Sequence, residues 1–309
     1  MDQSAPLHLN VKNPGMKKLF PAAPMIETLS TGHKWPEGPL WLPSEEKLIF
    51  SDVSGNAMYS WQQGLGVTVF RKPSGYANGN TLDRMGRVVT CEHQNRRVSR
   101  TELDNRITAL ATSYQGKRLN SPNDVIVKSD GIIYFTDPPD GLTEAWGVPG
   151  NRELNIQGVY RISAEGTLFL EVEDFQTPNG LALSPDEKYI YVDDTDKMHV
   201  RRFAVNRDGS LERSTGIVFA ELDPRLGPGW PDGMKVDMSG NLYVTGPTGI
   251  WIFDQSGMQL GIINIPITPT NLNWGGRDYT MLFVTAAMED FSRSAVYRIQ
   301  MNIAGHRQV

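Results

Sequence analysis

The chain has 309 residues, of which 39% are hydrophobic and 21% charged, and its formal net charge at pH 7 is −5. This balance excludes the broad basic surface that attracts a nucleic-acid backbone or anionic lipids, so we expect neither a nucleic acid nor a membrane as a partner. No apolar run approaches the length needed to cross a bilayer. The single cysteine, Cys91, excludes an intramolecular disulfide and a CxxC zinc site.

The chain begins with a predicted N-terminal extension, residues 1–25, which has Lys17 and Lys18 but neither an apolar core segment nor a small-residue cleavage site. This is not the pattern of a signal peptide, so we expect a cytoplasmic protein, or a periplasmic or secreted one if a leader was removed. We expect the extension to wrap around the outside of the fold or to be loose. The first predicted strand, residues 26–30, follows it directly.

After this strand one pattern recurs six times: a turn with a polar residue, a short apolar strand, an Asp/Gly turn and a stronger strand. Its β-branched and aromatic runs favour an all-β fold. We call the polar residue at the start of each copy its anchor, and the anchors are Glu37, Asn78, Asn123, Asn179, Asp232 and Asn271. They are separated by 41, 45, 56, 53 and 39 residues. A four-stranded propeller blade has a similar length, about 40–50 residues.

Each copy also contains a predicted third strand, at residues 57–61, 97–101, 158–162, 199–205, 249–253 and 295–300. The first five copies contain a fourth, at residues 67–70, 107–112, 167–172, 216–222 and 260–265. The sixth copy ends before a fourth strand, and residues 26–30 supply the missing one. The sequence therefore predicts one propeller domain over residues 26–309, with six four-stranded blades and a ring closed by an N-terminal strand.

The longest insertion between predicted strands is residues 138–157, in the third copy. It contains Trp146 and several Gly and Pro residues, which are typical of loops. Two interpretations are open: a lid over one face of the ring, or a simple surface loop.

The anchors predict a functional site because the first strand of each propeller blade lines the central channel. All six stand at the start of that strand, so the ring symmetry brings them together at one end of the axis. Two carboxylates and four Asn amides form an all-oxygen donor set, which suits a hard cation such as Ca²⁺. Asn and Asp before Gly are alternatively ordinary turn residues. The shared register of all six copies, with Glu at the first, favours the cation site.

Four segments resemble the senescence marker protein/gluconolactonase (regucalcin-like) family: residues 35–41 (WPEGPLW), 120–124 (NSPND), 177–186 (TPNGLALSPD) and 231–237 (PDGMKVD). Residues 70–78 and 91–93 are more similar to bacterial-type gluconolactonases than to animal members. The resemblance extends from about residue 26 to the C-terminus. It implies a six-bladed propeller and a metal site formed by Glu37, Asn123, Asn179 and Asp232.

The resemblance further implies one divalent cation, Ca²⁺ with Zn²⁺, Mg²⁺ or Mn²⁺ as substitutes, and hydrolysis of a sugar lactone such as glucono-1,5-lactone to the aldonic acid. Asp232 is the predicted catalytic general base, and Glu37 is predicted to be structural. Three positions depart from the family pattern. Asp140 stands where relatives usually have Tyr, Asn80 where an apolar residue is usual, and Ser121 where some animal members carry a substrate-binding Arg. These departures concern the identity of the lactone and leave the metal site untouched.

Five residues around the anchors are predicted to contact the substrate: Asn78, His93, Asp137, Ser121 and Trp35. His93 could orient a substrate hydroxyl or transfer a proton, because imidazole titrates near neutral pH, or it could stabilise a turn. Asp137 is alternatively an ordinary residue at a strand end, and Trp35 could stack on a sugar ring or pack in the core. The adjacent Asp193 and Asp194 are predicted to be a solvated or turn-capping pair.

Two alternatives to a sugar lactonase stay open. A related lactonase or a phosphotriesterase would use the same donor set, because carbonyl and phosphoryl oxygens both bind Ca²⁺. A protein of a different class would be a non-catalytic propeller that binds Ca²⁺ or a partner protein. The acid–base groups near the anchors favour the enzyme with a small-molecule lactone as its partner, and no oligomeric state follows from the sequence.

Overall fold

The computed structural model of the chain describes residues 4–307. Six antiparallel sheets form the blades of a propeller, which confirms the predicted all-β, six-bladed fold. Helical structure within these residues consists of three short 3-10 segments, Pro14–Leu19, Asp140–Leu142 and Pro224–Leu226. No helix among residues 4–307 has the length and apolar character needed to cross a membrane.

In the first four blades the strands follow chain order from the channel outward. Blade 1 contains Pro36–Leu42, Lys47–Asp52, Ala57–Gln62 and Gly66–Arg71. Blade 2 contains Ala77–Leu82, Val88–Glu92, Arg97–Thr101 and Ile107–Ala111. Blade 3 contains Val125–Val127, Ile133–Asp137, Gly158–Ile162 and Leu168–Val172. Blade 4 contains Pro178–Leu183, Tyr189–Asp194, His199–Val205 and Leu211–Glu221.

The last two blades complete the ring. Blade 5 contains Met234–Val236, Leu242–Gly246, Gly249–Phe253 and Gln259–Asn264. Blade 6 contains Pro269–Gly275, Met281–Ala287, Ser294–Gln300 and, as its fourth strand, Met25–Thr31. The last pair is antiparallel, with Ile299 opposite Ile26. The predicted closure by an N-terminal strand is therefore confirmed.

The residues before this closing strand extend two blades at their outer edges. Ser4–Pro6 pairs with Met25–Thr31 in blade 6, and His8–Val11 pairs with Gln259–Asn264 in blade 5. The 3-10 segment that follows buries Met16 in the hydrophobic cluster shared by these two blades. Each of the two blades thus has a fifth strand that covers an otherwise open sheet edge.

The predicted third and fourth strands agree with the observed ones to within one residue at each end, with one exception. The outer strand of blade 4 is Leu211–Glu221, so it begins five residues before the predicted 216. Its pairing with His199–Val205 has two register shifts, which break the alternation of buried and exposed residues that identifies a strand. A small hairpin, Ser113–Tyr114 with Lys117–Arg118, has no counterpart among the predicted strands because two residues are too few to form a pattern.

Apolar contacts between neighbouring blades hold the inner strands in place. Trp61 of blade 1 packs with Phe283 of blade 6, and Trp251 of blade 5 packs with Tyr191 of blade 4. Every residue of the inner strand Pro36–Leu42 is buried. The anchors at the start of the inner strands are therefore mounted on rigid, closely packed elements.

Candidate active site

The anchors meet at one end of the propeller axis, where most of them line a cavity of about 570 Å³, counting its open mouth. Seven of the predicted site residues line it: Trp35, Glu37, Asn78, His93, Asn123, Asn179 and Asp232. Six further residues complete the wall: Asp140, Trp146, Thr177, Thr195, Asp196 and Trp230. The four predicted metal ligands are thus brought together in one cavity, and their binding of a metal stays a prediction.

Asp232 and Asn123 present side chains without a protein partner. Each residue is only 7% exposed, and no group in residues 4–307 is hydrogen-bonded to the Asp232 carboxylate or the Asn123 amide. Their backbones hold them instead: the Asp232 N–H donates to Thr245 Oγ1 at 3.0 Å, and the Asn123 N–H to the Thr136 carbonyl oxygen at 2.9 Å. A buried carboxylate left without a partner costs several kcal/mol. A bound cation removes that cost, so this arrangement fits one.

Glu37 and Asn179 are oriented toward the cavity by their neighbours. Glu37 Oε2 accepts hydrogen bonds from the Gly38 N–H at 2.8 Å and from Asn271 Nδ2 at 2.9 Å. Asn179 Nδ2 donates to Thr195 Oγ1 at 3.2 Å. Because the amide nitrogen of Asn179 is occupied in this way, its Oδ1 is left to coordinate a cation.

Further buried carboxyl groups lie around these residues at the end of the channel. Asp124 and Asp193 are buried beside the anchors, and Lys235 Nζ lies 3.9 Å from Asp124 Oδ2. Burial raises the pKa of Glu37 to about 7. Burial, followed by the charge of Glu37, raises the pKa of Asp232 well above its usual range. A divalent cation would favour the ionised carboxylates and lower both pKa values.

The chemistry of the donors limits which ions fit. Among the described residues, no metal-binding group can be formed from three or more His, Cys, Asp or Glu side chains alone, so a metal here would also need Asn oxygens. The set here has two carboxylates and the amide oxygens of two Asn residues, which suits Ca²⁺ better than ions that prefer thiolate or imidazole. Glu37, Asn123, Asn179 and Asp232 are the residues that could hold such an ion.

His93 links the cavity wall to the insertion in blade 3. Its Nδ1 lies 2.7 Å from the carbonyl oxygen of Trp146, which can only accept, so Nδ1 carries the hydrogen. Nε2 is then an acceptor, and it receives a hydrogen bond from Asn78 Nδ2 at 3.2 Å. This fixes the Asn78 amide, whose buried Oδ1 has no partner among the described residues. Burial lowers the pKa of His93 to about 4, so the ring is neutral at neutral pH.

Asp137 lies outside the lining of the cavity, at the end of a blade's second strand. Its Oδ2 accepts a hydrogen bond from the backbone N–H of Asn120 at 2.8 Å. The same contact occurs in two other blades: Asp52 accepts from the Trp35 N–H at 2.8 Å, and Asp194 accepts from two backbone N–H groups at 2.7 and 3.0 Å. This repetition supports the alternative in which Asp137 stabilises the turn before an inner strand.

The insertion in blade 3 forms part of the cavity wall and is fastened at several points. The Ser121 hydroxyl donates to the Pro138 carbonyl oxygen at 2.6 Å and accepts from the Gly141 N–H at 3.0 Å. The Ser54 hydroxyl of blade 1 donates to the Ala145 carbonyl oxygen at 2.5 Å. Ser121, which does not line the cavity, is thus in contact with the insertion. These contacts support the interpretation of the insertion as a cover over one face of the ring.

Tryptophan side chains give the cavity an apolar side. The Trp35 ring is 4% exposed and makes edge contacts with Trp146 and Phe291, at centroid distances of 5.6 and 5.8 Å. Trp230 packs against the same cluster. Trp35 therefore lines the cavity and is packed at the same time.

Four acidic residues at or near the cavity lie outside the predicted site: Asp124, Asp193, Asp140 and Asp196. Asp124 follows its anchor at a position where four other copies have Gly. Asp193 stands across from its anchor, as Ser51 does in blade 1, and it is fully buried with its Oδ2 unpaired among the residues described. The predicted pair was solvated or turn-capping: the solvated alternative is wrong for Asp193, whereas Asp194 accepts the backbone N–H groups of a turn. A comparison of the copies position by position would have identified Asp124 and Asp193. Asp140 lies in the insertion, which no other copy shares.

Comparison with known proteins finds relatives along most of the chain. Residues 35–288 match the family model described as SMP-30/Gluconolactonase/LRE-like region. The gluconolactonase of Zymomonas mobilis is 33% identical over 296 residues, which cover 89% of this chain and 82% of that protein. The pentonolactonase of Haloferax volcanii is 25% identical over 280 residues, 88% of each protein. The solved structure of a gluconolactonase from Xanthomonas campestris has a TM-score of 0.86 and 34% identity, and the match covers 96% of this chain and 97% of that one.

Proposed function

Because the chain belongs to the SMP-30/gluconolactonase/LRE-like family, we propose that it hydrolyses a sugar lactone, such as glucono-1,5-lactone, to the aldonic acid. One observation carries the proposal: the Asp232 carboxylate is buried without a partner among the described residues and lines an open cavity together with Glu37 and two Asn side chains. Relatives named gluconolactonase and pentonolactonase support the lactone class. The acidic lining suits a small neutral substrate.

We further propose that the cavity holds one divalent cation, Ca²⁺, bound by Glu37, Asn123, Asn179 and Asp232. Zn²⁺, Mg²⁺ and Mn²⁺ are ions that could replace it. When bound, the cation supplies positive charge that stabilises the negative charge developing on the lactone carbonyl oxygen. The unpaired carboxylate of Asp232 and the unpaired amide of Asn123 support this assignment.

The reaction adds one water molecule across the ring ester. The water oxygen bonds to the carbonyl carbon, the ring C–O bond breaks, and the ring oxygen leaves as a hydroxyl group. Asp232 accepts the proton of the attacking water and returns a proton to the ring oxygen, so it acts as general base and then as general acid. Burial of the Cys91 thiol, whose pKa is raised well above its usual range, argues against a cysteine nucleophile.

The other predicted contacts divide into two groups. Asn78, with an unpaired Oδ1, and Trp35, at the apolar side, are proposed to contact the substrate. His93 is proposed to position Asn78, because both of its ring nitrogens already have protein partners. Ser121 and Asp137 are proposed to act through the loops that they hold. We propose that the protein does this in the cytoplasm, without a nucleic-acid or membrane partner.

The test measures hydrolysis by pH-stat on metal-stripped protein with Ca²⁺, Zn²⁺, Mg²⁺ or Mn²⁺ added back. The substrates are glucono-, galactono- and xylonolactone, dihydrocoumarin and paraoxon. We expect Ca²⁺ to restore turnover of a sugar lactone, and Asp232→Asn to lower kcat by about 10²- to 10⁴-fold at saturating Ca²⁺. Asp104→Asn, in an exposed turn of blade 2, is the matched control and keeps full activity.

Four outcomes would contradict the proposal. Equal rates with and without metal would exclude the cation. Full turnover by Asp232→Asn with metal bound would exclude this residue as the base. Turnover of paraoxon alone would favour the phosphotriesterase, and binding of Ca²⁺ without turnover of any substrate would favour the non-catalytic propeller.

A further inference from the structure

Asp140 is a carboxylate of the cavity that the proposed reaction does not use. It begins the 3-10 segment Asp140–Leu142 in the insertion and lines the same cavity as Asp232. Apart from its own backbone N–H, no group in residues 4–307 donates a hydrogen bond to its carboxylate. Burial, followed by the charge of Asp196, raises the pKa of Asp140 to about 6, so the group is mainly ionised at pH 7.5. It therefore presents unoccupied acceptor positions to the cavity.

The position of Asp140 is set by the residues beside it. The N–H of the next residue, Gly141, donates to Ser121 Oγ at 3.0 Å, and a Cβ at Gly141 would overlap the His93 ring. His93 in turn donates to the Trp146 carbonyl oxygen at 2.7 Å, a few residues further along the insertion. The backbone is thus held on both sides of Asp140. A carboxylate that is held in place before binding loses little conformational entropy when a ligand arrives.

Asp196, its acidic neighbour at the cavity, has a different environment. Asp196 Oδ2 accepts hydrogen bonds from Thr177 Oγ1 at 2.7 Å and from Gln176 Nε2 at 3.0 Å. Both donors share Oδ2, so the protein already uses one of the two carboxylate oxygens of Asp196. Among the described residues that line the cavity there is no Lys or Arg to pair with Asp140. The chemical groups that match Asp140 are neutral hydrogen-bond donors from a ligand, and hydroxyl groups are such donors.

We propose that Asp140 binds hydroxyl groups on the ring of the lactone and thereby selects polyhydroxylated lactones over unsubstituted ones. This inference rests on the proposed lactone hydrolysis. A carboxylate can accept two hydroxyl donors at once, and such charge-assisted hydrogen bonds are stronger than neutral ones. A lactone without hydroxyl groups would leave Asp140 buried and unpaired in the complex, which is the basis of the selection.

The test compares two substrates with the same six-membered ring, glucono-1,5-lactone and δ-valerolactone, which has no hydroxyl groups. For Asp140→Ala at saturating Ca²⁺, we expect kcat/KM for glucono-1,5-lactone to fall about 10- to 100-fold, mainly through KM. For δ-valerolactone we expect a change of less than about 2-fold. Asp140→Asn keeps one acceptor oxygen and is expected to lose less. Asp104→Asn again serves as the control that changes an exposed Asp.

A second measurement, competitive inhibition by sorbitol, uses hydroxyl groups without an ester and does not depend on turnover of δ-valerolactone. We expect Asp140→Ala to weaken this inhibition by a factor similar to its loss in kcat/KM. An equal loss on both lactones, or unchanged values for glucono-1,5-lactone and sorbitol, would overturn the role of Asp140. A wild-type protein that hydrolyses no lactone would overturn the proposed function instead, so the two failures are distinguishable.

Discussion

Asp232 and His93 are both buried at the cavity, but their hydrogen bonds differ. Both ring nitrogens of His93 have protein partners, whereas the Asp232 carboxylate has none within residues 4–307. A buried polar group without a partner is costly, so it persists where a ligand supplies the missing interaction. A group with all its partners in the protein instead holds the structure around the ligand. Asn123 belongs with Asp232 by this criterion, and the half-buried Asp140 likewise presents carboxylate oxygens without a side-chain partner to the cavity.

The pH dependence of stability tests the environment of His93. Burial lowers the pKa of His93 from 6.5 to about 4, so between these values the unfolded chain binds a proton that the folded protein does not. The stabilisation of the folded protein by the neutral His93 ring is therefore fully present above pH 6.5 and is lost as the pH falls toward 4. His93→Asn keeps an N–H for the Trp146 carbonyl oxygen and cannot titrate. The unfolding free energy of both proteins is measured at pH 7 and at pH 4.5. We expect the decrease between these two pH values to be smaller for His93→Asn than for the wild type, by about 2–3 kcal/mol.

Urea unfolding at the two pH values measures this difference. His8→Asn, at an exposed position of His8–Val11, is the control and should follow the wild type. If the unfolding free energies of the wild type and His93→Asn changed equally with pH, the imidazole would not be shielded from water in the folded state.

At the scale of elements, the insertion in blade 3 is the segment that departs from the repeat. It contacts Ser54 after the second strand of blade 1, His93 after that of blade 2, and Ser121 before the inner strand of blade 3. These contacts spread it across one side of the cavity mouth. Because the partners belong to three different blades, the insertion is rigid only when the ring is assembled.

Gly141 provides a test of this element. A Cβ at this position would overlap the His93 ring, so Gly141→Ala must move the insertion or the imidazole. We expect kcat/KM for glucono-1,5-lactone to fall by about 10-fold or more, because misplacement of a binding group by about 1 Å is enough for such a loss. Gly150→Ala is the matched control, since its added Cβ would have its nearest neighbours at an ordinary 3.7 Å. Steady-state kinetics of the two variants measure the effect, and equal values for both would contradict the tight contact.

At the scale of the whole molecule, the two ends of the chain are joined through blade 6. Met25–Thr31 pairs with Ser294–Gln300, so this strand pair ties the N-terminal part of the chain to its last blade and closes the ring. The extension before it adds strands to blades 5 and 6 and buries Met16 and Leu19 against them. None of the described residues of the extension lines the cavity. We propose that residues 26–309 are the unit that carries the activity, and residues 1–25 an extension that stabilises it.

Deletion of residues 1–22 tests this division. Loss of the buried Met16, Leu19 and Phe20 side chains is expected to lower the melting temperature by about 5 °C or more, while kcat/KM at 25 °C changes by less than about 2-fold. The double variant Lys17→Ala/Lys18→Ala alters only exposed side chains of the same segment and should melt like the wild type. Calorimetry and steady-state kinetics give the two values. A folded but inactive truncated protein would contradict the division.

The sequence by itself determined the six blades, the closing strand and the convergence of the anchors. In a closed ring, equivalent positions of a repeat occupy equivalent places around one axis, so a period in sequence becomes a cluster in space. The strand Leu211–Glu221 was harder to delimit because bulges interrupt the alternation on which strand prediction depends.

Only the tertiary structure decided which polar groups lack a partner. Asn271 and Asp232 are both anchors, yet Asn271 donates to Glu37 while no described group donates to the Asp232 carboxylate. The entry of Asp140 into the cavity likewise depends on contacts between residues 20, 53 and 91 positions apart. Such contacts form between elements that meet only in the assembled ring, and no local pattern or period in the sequence encodes them.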